Sequence, residues 1–232
     1  MPRQARLIVP GLPHHIVQRG HNRSAVFIEE SDYQYYLNNL AEWKTELGLR
    51  VFSYCLMTNH VHLIVEAGHR LGDIGELMKR LAGRQTRYVN KLERRTGSLW
   101  ESRYKISPID TDAYLLQCCR YVELNPVKAR MVSRPQDYGW SSYRSVIGET
   151  RCSWLDLSPC FIGLGIDEDQ RVQRYRKFVE DAESAEIEAS FIRAAVDRNQ
   201  LTGGARFIDE VEARTGVRVE FRSRGRPSCA DK

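Results

Sequence analysis

Four residues of this chain have side chains and spacing that could do chemistry together: His60, His62, Tyr121 and Asn125. The first two lie in Thr58-Asn59-His60-Val61-His62-Leu63-Ile64-Val65, where two histidines flank one apolar residue and an apolar run follows. On a β-strand, side chains alternate between faces, so His60 and His62 project together while Val61, Leu63 and Val65 point the other way. Two imidazoles on one side of a strand make half a metal site. Tyr121 and Asn125 are four residues apart in a stretch that reads as helix, which puts them on roughly one face. A phenol, with an ordinary pKa near ~10, is a poor nucleophile unless it sits beside a polarised electrophile. A divalent ion on the two histidines would polarise a phosphodiester by gripping its non-bridging oxygens. Asn125 could add its carbonyl oxygen as a third ligand. Such a set suits Mg²⁺ or Mn²⁺, with the imidazoles favouring Mn²⁺.

Each of these residues also has a plainer reading. Two histidines on a strand are often just satisfied polar side chains. Tyr121 could be a packed aromatic, since Tyr114 and Cys118 precede it at helical spacing, and Tyr114 is the alternative nucleophile. Asn125, before Pro126, could simply end a helix. His14, His15 and His21 are further candidate ligands, with His15 equally readable as structural. Cys55 near His60 would permit zinc, but no fourth ligand is evident.

The elements that must position these residues follow from periodicity. His15–Arg19 reads as a short strand. Ser31-Asp32 caps a helix to about Leu47, with Tyr36, Leu40, Trp43 and Leu47 on one stripe. Arg50–Met57 reads as a strand, joined through Thr58-Asn59 to the His60 strand as a hairpin. Leu71 to about Arg95 reads as a long helix, Leu99–Ile109 as extended, and Asp110-Thr111 caps a third helix ending near Asn125. Strand, helix, strand, strand, helix, strand, helix predicts an α+β fold: a ferredoxin-like antiparallel sheet with helices on one face. Residues 127–165 look irregular, and the composition turns helical and charged from Asp167. The expected division is a domain over 1–150 and a small helical C-terminal region over 151–232.

Charge points to the partner. The net charge is only +5, but Met78–Lys105 carries nine basic residues against Glu93 and Glu101. Arg80, Arg84, Arg87 and Lys91 share one helix face, so either DNA phosphates or plain solvent meets them. Such a local excess favours nucleic acid over a membrane. Arg103 is a further DNA candidate, as are Arg19 and Arg23, whereas Trp100 reads as core rather than a base-stacking platform. The six cysteines show no framework spacing, the N-terminus lacks a signal-peptide core, and no run is long enough to span a bilayer. The expectation is a cytoplasmic, nucleoid-associated protein without a membrane partner.

Taken in order, the motifs carry a resemblance. They are Pro13-x-His15-Ile16 with Arg19-Gly20, Met57-x-Asn59-His60-Val61-His62, Gly97-x-x-Trp100-x-x-Arg103-Tyr104, Tyr121-x-x-x-Asn125-Pro126-Val127 and Tyr138-x-Trp140-Ser141-Ser142-Tyr143. Over roughly residues 5–145 the chain resembles the single-tyrosine HUH transposases of insertion sequences, most closely the REP-associated tyrosine transposases. The resemblance implies an HUH nuclease fold in which His60 and His62 bind the metal, Asn125 is the third ligand and Tyr121 is the nucleophile. It also implies nicking of single-stranded DNA beside a hairpin, through a 5′-phosphotyrosine and a free 3′-hydroxyl, with rejoining or transfer of the strand. Glu101 departs from the glutamine common in the family after the tryptophan.

The expected function is thus a metal-dependent DNA nicking endonuclease and strand transferase acting on REP-like palindromic hairpins, as monomer or homodimer. The rival expectation is a domesticated hairpin-binding module that does not cut. At the C-terminus, Ala185–Asn199, a turn over Leu201–Ala205 and Arg206–Arg214 are compatible with a helix-turn-helix or an ordinary helical hairpin. The Arg222-Ser223-Arg224-Gly225-Arg226-Pro227 tail suits the minor groove as an AT-hook does, or acts as a nonspecific basic tail; Arg224 and Arg226 would carry that contact.

Overall fold

Apolar alternation and helix periodicity produce the expected order of elements. The computed structural model describes residues 6–66, 68, 70, 72–110 and 114–217. Arg224 and Arg226, Thr111 of the proposed cap and Leu71 lie outside the described residues. Strand β1 is Pro13–Arg19, followed by helix α1 (Glu30–Glu46), β2 (Arg50–Met57), β3 (His60–Glu66), α2 (Asp73–Leu92) and β4 (Lys105–Pro108). The sheet order is β2-β3-β1-β4, with every neighbouring pair antiparallel. Helices crossing from β1 to β2 and from β3 to β4 make this the ferredoxin-like arrangement.

Local boundaries shift for identifiable reasons. Glu29, not Ser31, caps α1, and Asp32 sits in the first turn, where its carboxylate accepts the Ile28 and Glu29 N–H groups at 2.8 and 3.0 Å. Of the extended run Leu99–Ile109, only Lys105–Pro108 joins the sheet. Helix α3 covers Leu115–Glu123, and a further short helix, α4 (Asn125–Lys128), begins immediately after it. Pro126 sits in the first turn of α4, where its missing N–H costs nothing.

Strand alternation divides the sheet into two surfaces. Val61, Leu63 and Val65 join Ile16, Val51 and Ile106 beneath α1 and α2. Ile64, Cys55, Met57 and Phe52 face the other way, onto Leu115, Cys118 and Val122 of α3. A β-bulge helps: Val51 pairs with Val65 but Ser53 with Ile64, leaving Phe52 as the extra residue. The expectation of helices on one face is therefore corrected. Two helices cover the first face as predicted, and α3 together with a C-terminal helix covers the second.

The remaining chain is α5 (Tyr143–Val146), α6 (Pro159–Ile162), α7 (Glu168–Glu180), α8 (Ala182–Arg198) and α9 (Ala205–Thr215). The seam expected at residue 150 does not separate two cores. Ala189 and Ile192 of α8 lie in the same apolar cluster as α3, and Tyr175 and Val179 of α7 pack with Tyr143 and Ile147. Helix α9 buries Phe207 and Val211 against Val9 and Leu201. Both sheet edges are covered as well. Residues 140–142 hydrogen-bond along β2, and Asn199 and Thr202 along β4.

Helix α3 is fixed by two buried ionisable side chains. Arg120, 1% exposed, donates to the Phe178 carbonyl at 2.7 Å and the Asp181 carbonyl at 3.3 Å, and pairs with Glu188 of α8. Glu123, fully buried, accepts from Ser142 Oγ at 2.6 Å, Tyr175 Oη at 2.7 Å and Ser53 Oγ at 3.3 Å. Burial pushes its carboxyl up to about 7, against the pull of those three hydroxyls.

Two stability predictions follow from these groups. Arg120→Ala leaves two carbonyls and Glu188 without their donor, so urea unfolding should show a loss of about 3 kcal/mol. The Glu123 carboxyl has a raised pKa when folded, so its contribution is fully present below about pH 4.5 and is lost as pH rises through 7. Glu123→Gln removes that dependence. Its stability relative to the parent protein should rise between pH 5 and pH 8, by on the order of 3 kcal/mol at most. A pH-independent difference in denaturant midpoints would contradict this.

Candidate active site

The second sheet face supplies a cleft of about 440 Å³ whose walls include Arg19, His60, His62, Tyr121, Asn125, Lys128, Arg193 and Asp197. All four residues singled out by type and spacing thus converge on it. Strand alternation delivers His60 and His62 from β3, with ring centroids 5.0 Å apart. Helix α3 delivers Tyr121, whose ring stands edge-on to His62 at 5.8 Å and to His15 at 5.6 Å. Tyr121 therefore meets the histidines of its own chain.

Hydrogen bonds around the histidines decide which nitrogens are available. Asn59 donates its amide N–H to the Arg23 carbonyl at 3.0 Å, which turns its Oδ1 toward His60 Nδ1 at 2.7 Å. An amide oxygen only accepts, so His60 carries its proton on Nδ1 and keeps the Nε2 lone pair for a ligand. His62 Nδ1 lies 2.9 Å from His15 Nε2. If His62 donates in that bond, its Nε2 lone pair is likewise available. His15 then holds its proton on Nδ1, a buried atom with no protein partner. In that arrangement His15 sits behind His62 and orients its ring.

Asn125 is turned by the same logic. Its Nδ2 donates to the Tyr121 carbonyl at 2.8 Å and the Val122 carbonyl at 3.3 Å, so Oδ1 is the atom left facing away from the helix. Among the described residues, no group of three or more His, Cys, Asp or Glu side chains is placed to hold a metal ion. The residues of the cleft that could hold one are His60, His62 and Asn125, which offer two imidazole nitrogens and an amide oxygen. Cys55, cross-strand from His62, is buried in the apolar cluster under α3, and that burial pushes its thiol well above the usual range.

The electrostatics keep the donors neutral. Burial, with help from Arg19, pushes His60 down to about 4. Burial and then the neighbouring His60 and His15 push His62 well below the ordinary imidazole range. Burial raises the Tyr121 hydroxyl, while the Arg193 guanidinium across the cleft pulls it back. Lys128 Nζ stands 5.3 Å from the centre of the Tyr121 ring.

The basic residues expected to touch DNA are scattered. Arg19 lines the cleft, and Arg23 is exposed on the turn whose carbonyl holds Asn59. Helix α2 packs on the opposite sheet face from His62. Arg84 pairs with Glu42 of α1, and Arg80 pairs with Glu76 while its guanidinium stacks 3.8 Å over Trp43. These two fasten α2 and its neighbour α1. Arg87 and Lys91 are exposed on the same helix. Arg103 lines a separate cleft of about 500 Å³ with Arg6, Lys79 and Trp100. Trp100 is core, its indole N–H bonded to the Ala82 carbonyl at 3.1 Å.

Lys128, Arg193 and Asp197 were missed by the sequence reading. Lys128 follows Asn125 by three residues, a helical spacing that could have suggested it. Arg193 and Asp197 had no such signal, because only the packing of α8 brings them near Tyr121.

Comparison with known proteins adds four findings. The sequence profile described as IS200-like transposase matches residues 8–125, just over half of the chain. A solved REP-associated tyrosine transposase bound to a REP hairpin is similar to this chain at a TM-score of 0.56 and 16% identity, over 68% of this chain and 96% of its own. A candidate transposase of Deinococcus radiodurans R1 is similar at 18% identity, over 56% of this chain and 92% of its own, with a TM-score of 0.36. No curated protein sequence matches.

Proposed function

Because the chain belongs to the IS200-like transposase family, we propose that it nicks single-stranded DNA at palindromic, REP-like hairpins and rejoins or transfers the cut strand. The observation that carries this reading is the convergence of Tyr121, His60, His62 and Asn125 on one cleft. A hydrolytic nuclease would need no tyrosine between its ligands, and a plain binding module would need no paired neutral imidazoles.

The donor set fits a divalent ion of the Mg²⁺ or Mn²⁺ kind, because both imidazoles are neutral and the Asn125 oxygen is turned outward. Such an ion, when bound by His60 Nε2, His62 Nε2 and Asn125 Oδ1, would polarise the phosphodiester and neutralise charge developing on it. The chain's own residues do the rest. The Tyr121 hydroxyl oxygen attacks phosphorus as the bond from phosphorus to the 3′-oxygen breaks. The phenolic proton ends on that 3′-oxygen, leaving a 5′-phosphotyrosine and a free 3′-hydroxyl. The new link is a phosphodiester like the one it replaces, so a 3′-hydroxyl can reverse the step without a nucleotide cofactor. Arg19 at the cleft and the exposed Arg23 offer the strand phosphates their counter-charge. A single chain holds the nucleophile and the donors, so neither a monomer nor a homodimer needs to share a site.

Incubating the protein with hairpin oligonucleotides copied from the DNA flanking its gene, in Mn²⁺ or Mg²⁺, should give a covalent adduct on a denaturing gel. Tyr121→Phe should abolish it. An adduct that survives this substitution would remove Tyr121 as nucleophile, and tight hairpin binding without any adduct would favour a module that does not cut. Metal binding supplies an independent check. His60 takes up a proton only near pH 4 and His62 lower than usual, so neither imidazole must lose one at pH 6. Calorimetric Mn²⁺ affinity should stay flat from pH 8 to pH 6 and collapse only toward pH 4. His60→Ala should remove it. A loss centred near the ordinary imidazole pKa would contradict the burial argument.

A further inference from the structure

Helix α8 begins well after residue 125, where the match to the transposase family ends. It nevertheless forms one wall of the cleft through Arg193, Val196 and Asp197. Its placement is strongly determined. Ala189 and Ile192 are buried against α3, Glu188 pairs with Arg120, and Asp197 pairs with Lys105 of β4. Asn199, in the left-handed conformation that closes the helix, accepts the Ile106 N–H at 3.0 Å. Arg193 and Asp197 are one helical turn apart, so the contacts that seat Asp197 also aim Arg193 into the cleft.

We propose that Arg193 of α8 is a positioning residue for the nucleophile, holding the Tyr121 hydroxyl and presenting positive charge to the phosphate that Tyr121 attacks. The inference rests on the transferase reading given above. Arg193 shares the cleft wall with Tyr121, whose hydroxyl its charge pulls down against burial, and it lines two adjoining cavities, that of the histidines and one of about 570 Å³ between α4, α7 and α8. Lys128 is common to both cavities and approaches the same ring. The DNA phosphate would thus meet neutral histidines on one side and guanidinium charge on the other. A guanidinium suits this place because it can donate to a phenolic oxygen and a phosphate oxygen simultaneously, in one plane. The C-terminal helix then completes the site rather than serving as an appendage.

The test compares Arg193→Ala, Arg193→Lys and Arg198→Ala in the full chain. Arg198 is exposed on the same helix and does not line the cleft. With hairpin oligonucleotides and Mn²⁺, the adduct-forming rate of Arg193→Ala at saturating DNA should fall about a hundredfold. The half-saturating DNA concentration and thermal midpoint should stay close to those of the parent protein. Arg193→Lys should recover part of the rate, and Arg198→Ala all of it. A second readout needs neither metal nor DNA. With Tyr121→3-fluorotyrosine, the fluorine resonance should shift on Arg193→Ala and not on Arg198→Ala. If the parent protein forms a Tyr121-dependent adduct and Arg193→Ala matches it, the role of Arg193 falls while the transferase reading stands. An unmoved fluorine resonance also overturns it. If no adduct forms with the parent protein, the transferase reading falls, and the fluorine shift alone decides whether Arg193 holds Tyr121.

Discussion

Helix α3 has to bury two ionisable side chains, Arg120 and Glu123, on either side of the residue that faces the cleft. Each is affordable only because its polar atoms are met. Carbonyls at the α7–α8 junction and Glu188 satisfy the guanidinium, and three hydroxyls, from β2, the N-cap of α5 and α7, satisfy the carboxyl. With both neighbours pinned in different directions, α3 has no freedom to rotate about its axis. The orientation of Tyr121 is thus set by side chains that do no chemistry.

The sheet makes a second separation. The face under α1 and α2 is almost wholly apolar and is clamped by Trp43, Arg80 and Arg84. The face under α3 mixes apolar residues near β2 with His15, His62 and Arg19 nearer β1. A period of two along β1 and β3 achieves this without any special loop. The site is accordingly built on strands and a helix, which hold donor geometry better than loops would.

Within the cleft, burial and charge work in opposite senses on different groups. Desolvation keeps the histidines neutral, as the proposed metal binding requires, and Arg19 adds to that effect on His60. The same desolvation makes Tyr121 a weaker acid, and the positive charge of Arg193 opposes it. Asn59 and His15 act one layer back, fixing the tautomer of His60 and restricting that of His62. They contribute orientation, not ligation.

The sequence by itself determined whatever depends on short-range periodicity. Alternation placed His60 and His62 on one face, helical spacing placed Asn125 one turn beyond Tyr121, and the order of elements specified the ferredoxin-like sheet. It could not say which neighbour a helical face would meet. Arg80 and Arg84 share a stripe, as their spacing requires, but only the fold shows that they meet Glu42 and Trp43 of α1. Covering of the second sheet face, the packing of α7 and α8 against earlier elements and the arrival of Arg193 beside Tyr121 were decided only in three dimensions. Spacing along a chain fixes direction within one element. Contacts between residues 121 and 193 depend instead on which buried surfaces pair, and that choice belongs to the tertiary structure.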